Sequence, residues 1–406
     1  MGTKIIMKKE QKIPEAYFTF PSHVTLKHLK DVVKQTADVK TPAYVIDEGV
    51  LEDNLKLLKK IKKETGCKIL LAIKAFSLRA SFPLIGQYLD GVCASGVFEA
   101  RLGREDFKKE VHTFSPAFSA HDIKEVIKYS DTVIFNSFSQ LHTFGPLVKK
   151  SGKQIGLRIN PMISKSPKLL YSPCVAKSRL GVTAEQFKGE DLSLVDGFHF
   201  HALCEQDADS LEEVLKKFES DFGKYLADLK WINIGGGHHI TRNDYKIDLL
   251  ISLVKNLKAK YKVQVIMEPG EGVVLNAGYL ETTVLDILEN KGKIVIIDAS
   301  AETHAPDVLG MPYQPGIIGA AKGTEKKFVY RIGGPSCLAG DVFGDYSFDE
   351  PLKIGQKLLF TDMALYTFVK NTTFNGIPLP SIGILDKKGE YKVVKTFGYE
   401  DFKRKL

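Results

Sequence analysis

A single lysine follows an otherwise apolar stretch of the sequence. The run "KILLAIKAFSL" at residues 68–78 has the composition of a buried strand, and Lys74 stands after its apolar residues. Removing a lysine from water favours its neutral form, so burial would provide an amine nucleophile near neutral pH. The alternative is a lysine whose charged end extends from the strand to solvent. Lys74 is therefore a candidate catalytic residue whose role depends on its neighbours.

Two further motifs offer groups that bind a cofactor or a metal. In "INIGGGHHI", Gly235, Gly236 and Gly237 follow a strand-like run, where backbone N–H groups bind phosphate at a late barrel strand. A tight turn explains these glycines equally well. In "FHFHA", the spacing of two residues puts His199 and His201 on one face of a strand. The two histidines are then a pair of metal ligands, or one of their rings stacks on a flat cofactor, or both are core residues. A metal site would add His238, His239 and Glu268.

Acids and two residues of the C-terminal half complete the candidates. In "MEPGEG", Glu268 at a strand end could accept a hydrogen bond from a pyridinium N–H. This bond would keep a pyridine-type cofactor ring protonated, and the protonated ring withdraws electrons from the substrate. Glu271 is a second acid beside it, and the alternative is a turn with two solvated carboxylates. Cys337 in "GGPSCLAGD" is either reactive or buried, and Tyr366 in "YTFVKNTTFNG" is either a phosphate donor or a core tyrosine.

The elements that must position these residues alternate between short apolar runs and helix-length segments. Such alternation predicts a parallel sheet covered by helices, and eight runs from "KILLAIKA" onward would close a β/α barrel within residues 41–275. Several runs end in polar residues, and this end of each strand faces the active site of a barrel. The run "PAYVID" at 42–47 is a ninth strand that the pattern alone does not place.

The two ends of the chain differ from this pattern. Residues 276–406 contain strand-like runs separated by Gly, Pro and Asp turns, with hardly any helix, which predicts a C-terminal all-β domain. Residues 1–40 are predicted to be an N-terminal extension with one amphipathic stretch, "VTLKHLKDVVKQT".

Composition limits the class of protein. A chain of 406 residues with 44% hydrophobic and 26% charged residues is typical of a soluble globular protein with two domains. The net charge of +8 is spread over probable helix faces, without the basic and aromatic stripe of a nucleic-acid-binding protein. The five cysteines form no CxxC pair, which argues for a reducing compartment. With no signal peptide or membrane-spanning run, we expect a cytoplasmic protein without nucleic-acid or membrane partners.

Each motif is weak alone, but their order is specific. "LLAIKAFS" is followed by "GFHFHALCEQ", "INIGGGHHI", "EPGE", "CLAGDVFGDY" and "YTFVKNTTFNG". From about residue 41 to the end, this set resembles the fold-type III pyridoxal-phosphate decarboxylases, the group of the ornithine and diaminopimelate decarboxylases. It is most similar to the branch that acts on carboxynorspermidine and carboxyspermidine. The resemblance implies an alanine racemase-like fold, in which a β/α (TIM-like) barrel carries pyridoxal 5'-phosphate and a C-terminal β-domain follows.

The resemblance also implies a role for each motif residue. Lys74 carries the cofactor covalently, His201 stacks on its ring and Glu268 holds the pyridine nitrogen. Arg158, in "LRIN", lies near the ring face, and Cys337 protonates the substrate carbon after carbon dioxide has left. In this family the segment that bears the cysteine reaches the active site of the other subunit, which implies a homodimer. The phosphate is bound by Tyr366, Gly235, Gly236 and Gly237.

Departures from the family pattern carry the substrate information. Ornithine-type enzymes have an arginine after "EPG", where this chain has Glu271. The acid after their reactive cysteine is replaced by Leu338, and the next acid is Asp341. The carboxynorspermidine branch pairs its glutamate with an aspartate in an "HxPD" segment, here Asp307 in "THAPD". Acids suit a cationic polyamine tail, so the resemblance implies decarboxylation of a carboxytriamine bound by Glu271, Asp307 and Asp341.

Three other functions stay open on the sequence. One is a decarboxylase of a simpler basic amino acid such as ornithine, lysine or diaminopimelate. Another is a metal-dependent barrel hydrolase built on His199 and His201. The third is a pyridoxal-phosphate carrier or homeostasis protein, against which the long β-domain with Cys337 counts, because such proteins are usually a lone barrel.

Overall fold

The computed structural model describes residues 24–166 and 169–406. It consists of a closed barrel of eight parallel strands and a nine-stranded sheet, which confirms the predicted fold class. Residues 1–23 of the predicted extension lie outside the described residues. The amphipathic stretch of that extension forms helix α1 (Leu26–Gln35), which precedes strand β1 (Ala43–Asp47).

The barrel is built from the apolar runs of the first two thirds of the chain. Neighbouring strands are parallel throughout, and the last strand pairs with the first to close the barrel. Every residue of the strand over 132–135 is buried, as expected for a strand covered on both faces. The barrel strands are β2 (Lys68–Ala72), β3 (Gly91–Ala94), β4 (Glu110–Phe114), β5 (Thr132–Phe135), β6 (Gln154–Arg158), β7 (Gly197–His199), β8 (Trp231–Asn233) and β9 (Gln264–Met267).

One tryptophan fills much of the barrel interior. Trp231 packs with Leu70, Ile134 and Ile266 in a cluster separate from the main core. A Cβ atom at Gly197 would stand 2.1 Å from the indole ring, so β7 needs a glycine opposite the tryptophan. The interior is therefore packed with side chains, as in other β/α barrels, which leaves the strand ends for ligand binding.

Helices cover the outside of the barrel. In α2, Asp47 caps the first turn by accepting the N–H of Val50 at 3.0 Å, and Gly66 ends the helix with a φ of +64°. Within the described ranges, no helix combines the length and apolar character needed to cross a membrane. The helices are α2 (Glu48–Thr65), α3 (Phe82–Ile85), α4 (Val97–Leu102), α5 (Ala120–Tyr129), α6 (Phe138–Lys150), α7 (Ala208–Phe222) and α8 (Ile247–Tyr261).

The second sheet includes β1, although this strand precedes the barrel in sequence. It lies between β10 (Gly278–Glu289) and β16 (Ser381–Leu385), antiparallel to the former and parallel to the latter. The run "PAYVID" therefore belongs to the sheet, and the predicted barrel range 41–275 must exclude it. The other strands are β10 (Gly278–Glu289), β11 (Lys293–Ile297), β12 (Ala321–Lys322), β13 (Phe328–Gly333), β14 (Val342–Phe348), β15 (Lys357–Thr361), β16 (Ser381–Leu385) and β17 (Tyr391–Lys395).

Four short helices lie outside the barrel: one between the barrel and the sheet, two between strands β11 and β12, and one after the last strand. They are α9 (Glu271–Val274), α10 (Ala301–His304), α11 (Asp307–Gly310) and α12 (Tyr399–Lys403). The sheet part meets the barrel directly beside Lys74, because the N–H of Tyr366 donates to the carbonyl of Ala75 at 3.0 Å. Residues from both parts can therefore contribute to one site.

Candidate active site

A cavity of about 730 Å³ opens at the carboxyl ends of the barrel strands, and we call it the mouth cavity. Loops of the sheet part, including Lys370, line its other side. A smaller cavity of about 50 Å³ adjoins it, and we call this the small cavity. The sequence-predicted residues that line the mouth cavity are Lys74, Arg158, His199, His201, Glu268, Glu271, Asp307 and Tyr366.

Lys74 lies two residues beyond the end of β2. Its side chain is exposed and lines both cavities, so the burial expected from the apolar run is not found. The strand ends at Ala72, and the following turn carries the lysine out of the barrel wall. The amine is therefore accessible to a ligand in the mouth cavity.

Glu268 is a charged acceptor at the base of the mouth cavity. His199 Nε2 donates to one carboxylate oxygen at 3.2 Å, and Asn233 Nδ2 donates to the other at 2.6 Å. Burial alone would raise the pKa of Glu268, but the charge and hydrogen bond of His199, with the Asn233 bond, lower the pKa to about 2. Glu268 is therefore ionised at neutral pH and able to accept an N–H from a ligand.

His201 presents an uncharged ring to the same space. Its Nδ1 atom accepts the N–H of Gly236 at 3.0 Å. Burial, with the nearby charges of Lys74 and Arg158, lowers the pKa of His201 well below the usual range. A neutral, flat ring held by a backbone hydrogen bond is suited to stacking on a planar ligand.

Arg158 lies at the end of β6 and contacts the ring of Phe114. Its guanidinium carbon is 4.4 Å from the centroid of the Phe114 ring, and Phe114 stacks on His199 at 5.8 Å. Burial lowers the pKa of Arg158 to about 10, which leaves the side chain charged at neutral pH. A cation therefore borders the part of the cavity that contains Glu268 and His201.

The N–H groups of the three glycines at 235–237 differ in their availability to a ligand. The N–H groups of Gly235 and Gly236 donate to Asn233 Oδ1 and His201 Nδ1, and so bind side chains of this chain. Gly237 lines the small cavity, where a φ of +82° and a Leu203 carbonyl 2.0 Å from any Cβ atom require a glycine. Gly237 therefore remains the best-placed of the three for a phosphate.

Tyr366 lines both cavities from the sheet part. Burial raises the pKa of its phenol far above the ordinary value, so the hydroxyl stays protonated and can donate a hydrogen bond. With Gly237, it gives the small cavity a donor from each part of the molecule.

The predicted tail-binding acids share the mouth cavity with Lys74. Glu271 begins α9, and its Oε2 atom accepts from His239 Nε2 at 3.1 Å. Burial would lower the pKa of His239, but the hydrogen bond and charge of Glu271 raise it. Asp307 begins α11 and forms an ion pair with Lys370. Both acids are thus held by a basic side chain, and neither His239 nor Lys370 was singled out as a tail-pocket residue from the sequence.

Cys337 and Asp341 lie outside the mouth cavity of their own chain. Cys337 is exposed after β13, and its N–H donates to Asn375 Oδ1 at 2.8 Å. Asp341 is buried, with one oxygen accepting the N–H of Ala301 at 2.7 Å and the other that of Ser336 at 3.1 Å. Asp341 therefore anchors α10 and the cysteine loop, and its contact with substrate stays a prediction.

The histidines do not assemble the metal site that the sequence left open. Among the described residues, one group of three has ligand atoms within 4.8 Å of one another, and it consists of Glu205, His239 and Glu271. His199 instead holds Glu268, and His201 faces the cavity beside the glycines. The predicted hydrolase centre on His199 and His201 therefore has no support in the geometry.

Sequence reasoning underrated two residues near Glu268. Asn233 was not singled out, although it is the polar residue that ends β8 in "WINIGGG", the signal that marked other strand ends. The sequence leaves His199 as a metal ligand, a ring stacked on a cofactor or a core residue, whereas its hydrogen bond to Glu268 gives it a positioning role.

The sequence matches a known family and several characterised proteins. The family described as "Pyridoxal-dependent decarboxylase, C-terminal sheet domain" matches residues 34–364. A carboxynorspermidine/carboxyspermidine decarboxylase of Campylobacter jejuni is 44% identical, over 90% of this chain and 98% of that protein. A carboxyaminopropylagmatine decarboxylase of Synechocystis sp. is 40% identical, over 91% of this chain and 96% of that protein.

Crystal structures of similar proteins share the fold. That of the carboxynorspermidine decarboxylase from Campylobacter jejuni, complexed with norspermidine, has a TM-score of 0.85 at 42% identity, covering 91% of this chain and all of that one. A diaminopimelate decarboxylase from Helicobacter pylori has a TM-score of 0.77 at 20% identity, covering 91% of this chain and 98% of that one. At that lower identity the likeness is one of fold alone.

Proposed function

Because this chain belongs to the pyridoxal-dependent decarboxylase family, we propose that it decarboxylates carboxynorspermidine, carboxyspermidine or both. The products are norspermidine and spermidine, which makes this a step of polyamine biosynthesis. The protein is a carboxy-lyase, and relatives at 36% and 44% identity carry this substrate assignment.

The residues of the two cavities fit pyridoxal phosphate. Lys74 offers an amine, Glu268 an ionised acceptor for the pyridine N–H, and His201 a neutral ring for stacking. Gly237 and Tyr366 line the small cavity and would hold the phosphate. When bound, the cofactor withdraws electrons from the bond to the departing carboxylate.

The chain's own groups then divide the remaining tasks. Glu268, kept ionised by His199 and Asn233, holds a proton on the ring nitrogen of the ligand. Cys337 would supply a proton to the carbon that loses carboxylate, as the family resemblance implies. The thiol is exposed and lies outside the mouth cavity of the same chain. We therefore propose that it acts in the active site of the partner subunit in a homodimer.

One observation carries the choice of substrate, namely that Glu271 and Asp307 line the cavity that Lys74 lines. A carboxytriamine has a secondary and a primary ammonium beyond its reacting end. Each needs an acceptor of opposite charge once water is excluded, and two carboxylates supply them. Diaminopimelate carries a distal carboxylate, which these acids would repel.

A substrate panel tests the proposal. Purified enzyme with added pyridoxal phosphate is assayed for carbon dioxide release from carboxynorspermidine, carboxyspermidine, ornithine and diaminopimelate. We expect kcat/KM for a carboxytriamine to exceed that for ornithine by about 30-fold or more, the value of one desolvated charge pair. Turnover of ornithine or diaminopimelate at an equal or higher kcat/KM would refute the assignment.

Carboxyaminopropylagmatine is a second candidate substrate, favoured by the 40% identity to the Synechocystis protein. Its tail ends in a planar guanidinium, which presents its donors in a fixed fork, whereas a triamine ends in a compact ammonium. Adding this compound to the panel decides between the two, since the higher kcat/KM identifies the tail that the acids accept.

A further inference from the structure

Lys370 forms an ion pair inside the cavity proposed to bind the substrate. Its Nζ atom contacts Asp307 Oδ1, and both residues line the mouth cavity with Lys74 and Glu271. The side chain of Asp307 is 19% exposed and that of Lys370 is 39% exposed. The acid is therefore largely enclosed, while its basic partner has a path to solvent.

The backbone around this pair is held independently of the ion pair. The N–H of Lys370 donates to the carbonyl of Thr367 at 2.9 Å, and the N–H of Thr372 donates to the carbonyl of Thr303 at 2.9 Å. The N–H of Met311 donates to the carbonyl of Asp307 at 2.8 Å. Only the four-carbon stem of Lys370 must move to separate the charges, and such stems are flexible.

The ammonium of Lys370 does not depend on Asp307 alone. While it contacts Asp307, its Nζ atom also lies 5.7 Å from the centroid of the Tyr366 ring, within the range in which an ammonium is attracted to an aromatic face. Because the side chain is partly exposed, the ammonium can leave Asp307 for solvent. Its departure does not strand a charge in an apolar environment.

On the basis of the function proposed above, we propose that Lys370 is an exchangeable counter-ion that the terminal ammonium of the substrate displaces from Asp307. The two ammonium groups are chemically alike and compete for one carboxylate. While Lys370 is paired with Asp307, this carboxylate is not free to bind the substrate. The apparent Kd for a triamine is therefore the intrinsic Kd divided by the fraction of enzyme in which Asp307 is unpaired. The product keeps its distal amines, so the returning lysine also assists its release.

The opposite role is a lysine that merely holds Asp307 in position. In that case removing the lysine would leave the carboxylate misplaced, and a triamine would bind more weakly. Competition predicts tighter binding instead. The sign of the change in affinity separates the two roles, because structural damage does not strengthen binding.

The experiment measures the Kd of norspermidine and of spermidine for the enzyme loaded with pyridoxal phosphate. Lys370→Met should bind the triamines about two- to five-fold more tightly than wild type, the range of a partly exposed ion pair. Lys370→Arg keeps the pair and should retain the wild-type Kd. 1,3-Diaminopropane, which lacks the distal amine, should bind wild type and Lys370→Met alike.

Two controls make the result specific to the pair. In an Asp307→Asn background, Lys370→Met should no longer tighten binding, because the contested carboxylate is gone. Lys392→Met removes the same charge from an exposed position on β17 and should leave the Kd unchanged. If Lys370→Met does not fold, Lys370→Gln is measured against the same expectation.

Unchanged or weaker triamine binding by the Lys370 variant would overturn the inference, as would an equal gain in the Asp307→Asn background. If wild type turns over a carboxytriamine, such a result leaves the proposed function intact. If wild type neither binds nor decarboxylates a carboxytriamine, both proposals fall together.

Discussion

Lys74 and Glu268 line the same cavity, but they differ in burial and in hydrogen bonding. Glu268 is fixed by His199 and Asn233, which keep it charged although it is buried. Lys74 stands exposed at the cavity wall, so its chemistry depends on what binds there rather than on burial. At the scale of single residues, the acceptor is preorganised and the amine is accessible.

Lys74 should therefore be the residue that carries the cofactor. Purified protein is expected to be yellow with pyridoxal phosphate, and borohydride should attach the phosphopyridoxyl group to Lys74, as peptide mass spectrometry can detect. Lys74→Ala should lose both the label and turnover. A label on another lysine, with Lys74 unmodified, would contradict the assignment.

Glu271 and Asp307 should bind the two ammonium groups in the tail of the substrate. Removing one partner of a desolvated charge pair costs about 2–5 kcal/mol, so Glu271→Gln should lower kcat/KM for a carboxytriamine by roughly 30-fold to several-thousand-fold. Asp307→Asn should fall toward the lower end, because Lys370 already compensates part of its charge. The cofactor should remain bound and coloured in both. Equal losses on ornithine would mean that these acids only brace their turns.

Helix α1 is attached to β1 by contact between His28 and Asp47. His28 Nε2 contacts Asp47 Oδ2 at 2.7 Å, and the hydrogen bond to Asp47 raises the pKa of His28 above its ordinary 6.5. A raised pKa in the folded state means that the pair stabilises fully below pH 6.5. This contribution disappears as the pH rises through the folded-state value.

Hydrogen exchange can follow this attachment. His28→Gln should speed amide exchange in α1 at pH 6, and its exchange, corrected for the intrinsic pH dependence, should match wild type at pH 9. Lys30→Gln, an exposed change on the same helix, should have no such pH dependence. An equal effect of His28→Gln at both pH values would show that the charged histidine does not hold α1.

At the scale of the whole molecule, the position of Cys337 argues for two chains per site. The thiol is exposed, while the cavity that it is expected to serve lies elsewhere in the same chain. A two-fold dimer can bring the loop of one chain to the cavity of the other. We therefore expect Lys74→Ala and Cys337→Ala proteins to be inactive alone and to complement each other.

Mixing the two variants tests this arrangement. Random exchange makes half the dimers mixed, with one intact site of two, so about a quarter of wild-type activity should return. Mixed dimers isolated with two affinity tags should show about half of wild-type activity, because every such dimer has one intact site of two. No recovery in proven mixed dimers would place the complete site within one chain.

The secondary-structure elements and the order of the site residues can be read from local patterns in the chain. Strand and helix periodicities are local, so "KILLAIKA" through "VQVIMEPG" could be recognised as barrel strands from neighbouring residues alone. The polar ends of those strands followed from the same reading, because parallel strands present their carboxyl ends at one face. The resemblance of the ordered motifs then indicated the family, which the comparisons confirm.

Contacts between residues far apart in the chain could not be predicted in this way. Strand β1 joins the sheet through partners more than 200 residues away, which no local periodicity encodes. Asp341 accepts the N–H of Ala301, which lies 40 residues away in the chain. Asp307 forms an ion pair with Lys370, which lies 63 residues further along the chain. Ion pairing and strand pairing depend on distance in space, whereas sequence patterns report only distance along the chain.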